Sequence, residues 1–377
     1  MKILVFLNWL GRGGVETMLL DCLPHLRARG VEVDVCCQGR RRELDADYER
    51  GGCRIFRIRK CAVPLETAWR IEAVLAESGC ALLHSQMGPT SGGAVLAAAR
   101  RGLPALVSIH NLPESTLYGW VDRPLLGAVR SAWLRWHRRL IDRHARMFLG
   151  HSEANLDAFA PDWRSDPRRY RLIANGIKTS GPAPDREECR RRLGLEPGRL
   201  VVLHVGSFKP QKNHEGLLLA FEHLLRREPG ALLLMVGDGA GRGRVERRAR
   251  AMRLERSLRF ESGQSDVRPY YAAADVMLST SLVEGFGNAL VEAQGAGLPV
   301  VASGIAAHRE SVAPAGQRFL FPLPDYARAA GLVLEQVEAA RAGRNPWVGE
   351  SQEHVRARFS VERMAEELAA IYAEVTG

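Results

Sequence analysis

This sequence has no long hydrophobic run: no stretch of about 18 uncharged apolar residues, the length needed to span a bilayer, occurs anywhere in it. Met1 and Lys2 lead straight into the apolar segment Ile3 to Leu7 and then Gly11, with neither a hydrophobic leader nor a small-residue cleavage site. The expectation is a cytoplasmic protein. Cysteine is sparse and ill matched for pairing. The seven (Cys22, Cys36, Cys37, Cys53, Cys61, Cys80 and Cys189) are odd in number and form no Cys-x-x-Cys pair, which argues for reduced core thiols. Internal repeats are missing too, and low complexity is confined to arginine clusters such as Arg40 to Arg42 and Arg190 to Arg192.

What the chain does have is length and apolar content. Its 377 residues, 46% of them hydrophobic, exceed what one core usually serves, so two domains are expected. A net charge of +10, nearly all of the positive side arginine, implies attraction to anions. Charge alone leaves nucleic acid, acidic lipid headgroups and phosphorylated substrates all open.

Short runs rich in Val, Leu and Ile alternate with amphipathic stretches, the pattern of repeated βαβ units around a parallel sheet. Strands are predicted at Ile3 to Leu7, Val31 to Cys37, Arg54 to Phe56, Ala81 to His84, Ala105 to Ile109, Met147 to Leu149 and Arg171 to Ile173. A polar, proline-containing segment from Lys178 to Asp185 reads as a linker. A second series follows at Leu200 to Val205, Leu232 to Val236, Leu258 to Phe260, Val276 to Leu278 and Pro299 to Ala302, and a terminal helix is predicted over Val361 to Val375 behind the cap Ser360. The fold class is therefore α/β, with two doubly wound, Rossmann-like parallel-sheet domains over 1–180 and 181–359, and 360–377 as a helix in need of a surface.

The most informative stretch runs from Glu284 to Glu292, a glycine turn between an apolar strand and a helix. Gly285 and Gly287 let a ligand approach the backbone, and the N-H groups of the helix starting near Asn288 favour a phosphate. Glu292, one turn in, is placed to accept from ribose hydroxyls, and Glu284 to reach a sugar. At the other end, Gly13 and Gly14 open the first helix, where their N-H groups meet a phosphate or hydroxyl or allow tight packing. His110 follows the strand Ala105 to Ile109 and so sits at the carboxyl edge where open α/β sheets bind ligands, whereas His204 falls inside a strand and is read as core.

Two glutamates separated by seven residues in the order Glu-Gly-Phe-Gly-Asn-Ala-Leu-Val-Glu, followed by Glu-Ala-Gln-Gly-Ala-Gly-Leu-Pro-Val-Val-Ala-Ser at 292–303, resemble the signature of glycosyltransferase family 4. Further matches fall in the same order: Val205 to Asn213, Val236 to Gly239, Ala272 to Val276, and the N-terminal Gly11 to Thr17. The resemblance covers essentially the whole chain.

It implies a GT-B fold, in which the two Rossmann-like domains face each other across a cleft, the terminal helix crosses back to the first domain, and the first domain binds the acceptor while the second binds the nucleotide sugar. It also implies retention of anomeric configuration without a metal; no Asp-x-Asp motif stands in the segments that would line the cleft. The donor would be a nucleotide-diphosphate sugar, uridine diphosphate being the usual base, with no further cofactor and no nucleic acid. The acceptor would be a saccharide or a lipid-linked intermediate of cell-surface polysaccharide. Carried over by position, Glu284 lies near the donor sugar and Glu292 near the ribose, with Lys212 and the Gly287, Asn288 and Ala289 backbone on the phosphates; His110, Glu284 and Lys212 form the catalytic set. Where the family commonly carries arginine this chain has Ser207, leaving Lys209 as a substitute. Family members often carry a second histidine at the position of Gln86, next to the strand-end His84.

The stretch Leu125 to Arg146 sets Leu126, Val129, Trp133, Trp136 and Leu140 on one stripe with arginines elsewhere, a pattern that fits core packing or contact with the inner membrane surface. A dehydrogenase is disfavoured, because Glu16 occupies the third glycine position of Gly-x-Gly-x-x-Gly and Arg242 does so after Gly237 and Gly239. An epimerase of the same fold, a noncatalytic nucleotide-sugar-binding protein, and a transferase acting on a small secondary metabolite are the alternatives.

Overall fold

The computed structural model describes residues 1–110, 124–178, 184–264 and 266–377, with the side chains of 124–126 also outside the description. Residues 179–183 of the linker therefore lie outside the described residues, as does the side chain of Leu126 in the apolar stripe. The chain divides into two units, Met1–Lys178 with Ser360–Gly377, and Thr179–Phe359.

The first unit is a seven-stranded sheet: β1 (Lys2–Leu7), β2 (Glu32–Cys37), β3 (Ile55–Arg57), β4 (Leu82–Ser85), β5 (Ala105–Ile109), β6 (Met147–Gly150) and β7 (Tyr170–Leu172). The order is β3-β2-β1-β4-β5-β6-β7, every pair parallel, with Val5 opposite Val35 on one side and His84 on the other. Chain order reverses between β1 and β4, so their carboxyl ends flank a crevice. Alternate side chains feed two cores. Ile3, Val5 and Leu7 join one, while Leu4 and Phe6 join the other, as a parallel sheet covered on both faces requires.

The terminal helix, Val361–Thr376, belongs to this unit. Ser360 caps it by accepting from the Arg363 N-H at 3.4 Å, and Val361, Met364, Ala365, Leu368, Ile371 and Tyr372 form one buried face packed beside the helix Gly14–Arg27. Their spacing of three and four residues is what gives the last segment a stripe to bury.

The second unit holds β8 (Val201–Val205), β9 (Leu232–Val236), β10 (Leu258–Glu261), β11 (Val276–Ser279), β12 (Val300–Ser303) and β13 (Leu320–Phe321) in the order β10-β9-β8-β11-β12-β13, again all parallel. Its switch lies between β8 and β11. The strand β13 is not among the predicted ones: two residues next to Pro322 are too short to show a periodic pattern, and it is their pairing with Ala302 and Ser303 that makes them a strand.

The helix Pro124–His144 buries a different face from the one its aromatic stripe suggests. Among its described side chains His137 and Ile141 are the buried ones, whereas Val129 is 69% and Trp136 36% exposed. All seven cysteines are free, and all but Cys61 are buried. No helix among the described residues is long and apolar enough to cross a membrane.

Candidate functional site

In the second unit the loops after β8 and β11 are fastened together. The loop after β8 makes a single turn at Pro210–Lys212 and then enters the helix His214–Leu225 through Asn213, whose left-handed backbone is tolerated by asparagine and whose side chain accepts from the Gly216 N-H at 3.1 Å. The same Asn213 amide donates to the Thr280 carbonyl at 3.0 Å, and the Thr280 hydroxyl donates back to the Asn213 carbonyl at 2.9 Å. The Leu282 N-H adds a bond to the Gln211 carbonyl at 2.8 Å.

This zipper brings together two side chains 72 residues apart in sequence, Lys212 and Glu284, whose Nζ and Oε1 lie 2.5 Å apart. The side chains are only 18% and 13% exposed, so the pair is poorly screened. Burial pushes the Glu284 carboxyl up, but the charges of Lys212 and His308 and the hydrogen bonds from Lys212 and Ser281 outweigh it and hold Glu284 below the ordinary carboxylate range. The Ser281 hydroxyl donates to the same oxygen at 2.7 Å. A lysine ammonium has three donors, and Glu284 uses one of them.

Next to this pair starts the helix Asn288–Gly295. Gly287 before it has φ of 101°, and a Cβ there would lie 3.0 Å from the Ser311 hydroxyl and 3.4 Å from His308 Cδ2. Both the backbone and the space therefore call for glycine. The helix turns the N-H ends of its first residues, Asn288 and Ala289, toward the loop side, where the helix dipole favours an anion. One turn further, Glu292 accepts from the hydroxyl of buried Tyr271 at 2.8 Å. His308 is buried, held through Nδ1 to the Ser303 carbonyl at 2.8 Å; burial pushes its pKa down to about 4.

Ser207 and Lys209 lie on the loop after β8, the Lys209 N-H bonding the Ser207 carbonyl at 2.7 Å and its side chain exposed. The glycines that fail the dinucleotide pattern have another task. The chain after β9 passes so close under this loop that a Cβ on Gly237 would sit 2.0 Å from the Gly206 carbonyl oxygen. His204 is buried inside β8, with Nδ1 against the Leu278 carbonyl at 3.0 Å, as a core residue.

The first unit carries the remaining predicted residues. Gly13 and Gly14 follow β1 and open the helix Gly14–Arg27, with the buried Glu16 carboxylate curled over Gly13, where a Cβ would lie 2.2 Å from its Oε2. His110 follows β5, its Nε2 2.6 Å from Gln86 Oε1 and its ring stacked at 4.1 Å on His151. His151 is one position past β6, opposite His110 in the strand register, and sequence reasoning missed it although it shares the same strand-end signal. Burial lowers the pKa of His151 to about 4 and that of His110 well below its ordinary value. Among the described residues no three His, Cys, Asp or Glu side chains gather where they could hold a metal ion.

Two parallel sheets of seven and six strands with interleaved helices match the GT-B glycosyltransferase fold. Residues 12–180 match the family described as Glycosyltransferase Family 4, and 185–345 match Glycosyl transferases group 1, so two glycosyltransferase family models together match most of the chain. It is similar to the putative glycosyltransferase EpsF of Bacillus subtilis, 28% identical over 312 residues covering 80% of this chain and 79% of the relative. It is also similar to a D-inositol 3-phosphate glycosyltransferase of Actinosynnema mirum, 26% identical with 96% and 92% covered. In fold it matches Anabaena Alr3699/HepE, whose crystal structure holds UDP and glucose, with a TM-score of 0.82 at 20% identity over 99% of this chain and 100% of that one.

Proposed function

We propose that the protein transfers a sugar, with retention of configuration, from a nucleotide-diphosphate donor held by 181–359 to a saccharide or lipid-linked acceptor held by 1–180. The observation that carries this reading is the buried Lys212–Glu284 pair beside a helix N-terminus, with Glu292 braced by Tyr271 one turn away. The two remaining Lys212 donors, Lys209 and the amides of Gly287, Asn288 and Ala289 suit the diphosphate and stabilise charge as it leaves, the task a metal would otherwise perform. Glu284 accepts from hydroxyls of the donor sugar, and Glu292 from the ribose. The bond from the anomeric carbon to the phosphate oxygen breaks, the acceptor oxygen bonds to that carbon on the same face, and its proton passes to the departing phosphate. Uridine is the base favoured, in keeping with the UDP complex of the Anabaena protein.

Gly13, Gly14 and His110 are assigned to the acceptor side. The Glu16 carboxylate over Gly13 repels a phosphate there, so the first helix suits a hydroxyl-bearing ligand. A lipid-linked acceptor in cell-surface polysaccharide synthesis is supported by exposed apolar side chains on the same unit: Val63, Leu65 and Trp69 are 43%, 48% and 66% exposed, and the Trp133 indole N-H, on the helix that also exposes Val129 and Trp136, donates to the Ala62 carbonyl. Cosedimentation with anionic vesicles that is lost in Trp69→Ser with Trp136→Ser supports this; no binding to any vesicle overturns it.

Calorimetric titration with uridine, guanosine and adenosine diphosphates in the presence of a chelator tests the donor site. Micromolar binding of one of them, weakened in Glu292→Ala, is the expected outcome; no binding of any sinks the assignment. The anomeric coupling of the product, read by NMR, tests retention.

A further inference from the structure

Behind Glu284 lies a set of buried hydroxyls for which the phosphate and ribose contacts have no use. Ser279 ends β11, Ser281 follows two positions later on the same face of the chain, and Ser303 ends β12; all three are buried. Ser279 stands opposite Ala302 in the sheet, so Ser303 lies beside the chain where it leaves β11. There the Ser303 hydroxyl donates to the Ser281 carbonyl at 2.6 Å, and the Ser279 and Ser281 hydroxyls lie 3.3 Å apart.

The carboxylate sets the direction of these bonds. An ionised Glu284 only accepts, so the single proton of the Ser281 hydroxyl is spent on Oε1, at 2.7 Å, and Ser279 is the donor toward Ser281. Lys212 Nζ falls on the same Oε1 at 2.5 Å. One oxygen of Glu284 therefore receives two donors, while Oε2 receives none among the described residues. Nor is Oε2 one of the unpartnered atoms sealed from solvent, so it is the oxygen open to a ligand. The two anchors of Oε1 differ in kind. Lys212 ends a flexible four-carbon stem that can follow an incoming phosphate, whereas Ser281 is a short side chain whose own carbonyl is pinned by Ser303.

We propose that Ser281 is a positioning residue for Glu284: by holding Oε1 it keeps Oε2 as the acceptor for a hydroxyl of the donor sugar while Lys212 turns to the diphosphate. The inference rests on the reading of 181–359 as the donor unit. It accounts for a buried serine aimed at a carboxylate that already has a cation, and it separates two tasks at one site. Lys212 answers to the phosphates, and Ser281 answers to the sugar.

That separation is what a titration can read. Calorimetry on the full-length protein, with a chelator present, is run with uridine diphosphate, UDP-glucose and UDP-galactose. In Ser281→Ala, uridine diphosphate is expected to bind within about twofold of the unaltered protein, while the sugar nucleotide that the unaltered protein prefers is weakened about tenfold. A crystal structure of the unaltered protein with that sugar nucleotide, which needs no variant to fold, should keep Ser281 on Oε1 and bring a sugar hydroxyl to Oε2. Equal weakening of all three ligands in Ser281→Ala, or weakening of none, overturns the proposal, as does a complex in which the sugar hydroxyl displaces Ser281 from Oε1. Binding of uridine diphosphate with neither sugar nucleotide bound overturns it too. Binding of none of the three by the unaltered protein overturns instead the donor reading on which it rests.

Discussion

The two units repeat one scaffold and finish it differently. Both are parallel sheets whose order reverses at a central pair, β1 with β4 and β8 with β11, and in both the polar residues gather past the strand ends. At the carboxyl ends of β4, β5 and β6 stand neutral groups, the amide of Gln86 and the imidazoles of His84, His110 and His151, with the Glu16 carboxylate apart from them over Gly13. Past the second stands a lysine salt-bridged to a glutamate beside a helix N-terminus. Sheet topology supplies a crevice in each case and does not decide what binds in it. On the proposed function the side chains do: fixed charge at the second edge suits a diphosphate, and uncharged donors and acceptors at the first suit hydroxyls.

The largest way to break that contrast is to remove the charge from the second edge. Glu284→Gln takes away the charge that pairs with Lys212 and leaves only a neutral amide oxygen as acceptor for the donor sugar. Turnover is expected to fall by about a hundredfold to a thousandfold, as when a preorganised polar contact to a transition state is lost. Steady-state kinetics with saturating donor check it, and a loss of less than tenfold would put Glu284 outside the reacting centre.

A second contrast concerns how each unit is closed. The first needs the last residues of the chain, whose Leu368 is 3% exposed within its core, while the second is complete by Phe359. Leu368→Ala is expected to cost about 2–5 kcal/mol in the first unit. Calorimetry should show one transition moving down while the nucleotide-stabilised one stays in place. Equal displacement of both would mean the units do not unfold independently.

Much of this contrast is legible before any coordinates. Ala105 to Ile109 and Leu232 to Val236 are strands with the bounds their apolar runs suggest, because a buried parallel strand leaves an unbroken hydrophobic signature. The glycine turn at 285–287 likewise announces a helix start. What the sequence hides are partners supplied by other elements. Tyr271 sits 21 residues before Glu292 on a separate helix, and no spacing rule relates them. Gln86 stands two residues after His84 in sequence, yet its link to His110 exists only because β4 and β5 are neighbours in the sheet. The face of Pro124–His144 misleads for a related reason: hydrophobic content picks out Val129 and Trp136, while packing against the helix Gly92–Arg100 selects His137, whose ring accepts from the Gly92 N-H at 3.0 Å.

Acid erases the contrast between the units, and this sharpens what it rests on. Burial lowers the pKa of His84 to about 3 and His151 to about 4 in the first unit, and of His204 and His308 to about 4 in the second. Each binds its proton more readily unfolded, near pH 6.5, than folded. The stability that each contributes by staying neutral is therefore whole above about pH 6.5 and drains away as pH falls toward the folded pKa, by about 1.4 kcal/mol per pH unit for each histidine. The Glu284 pair contributes in the same direction but later, its share being present above the ordinary carboxylate value of 4.5 and lost below it. Denaturant midpoints measured between pH 7 and pH 5 should fall for both units together, and a midpoint independent of pH in that range would contradict the neutral burial of these rings.

The smallest effect tests whether Glu292 needs its brace. Tyr271 is 2% exposed, and its hydroxyl donates to the carboxylate at 2.8 Å, so Tyr271→Phe deletes that hydrogen bond while keeping the ring in its core. The direct cost is about 1.5–3 kcal/mol for a bond to a charged group if the carboxylate finds no replacement, and less where water takes the vacated place. Because Glu292 is half-buried, part of that loss is expected to be recovered, leaving nucleotide diphosphate binding weaker by a fewfold rather than abolished. Glu292→Ala in the same titration should lose more, since it removes the acceptor itself. If Tyr271→Phe weakens binding as much as Glu292→Ala does, the carboxylate's orientation matters more than its presence; if it changes nothing, Tyr271 serves the core alone and the second edge recognises its ligand without a fixed glutamate.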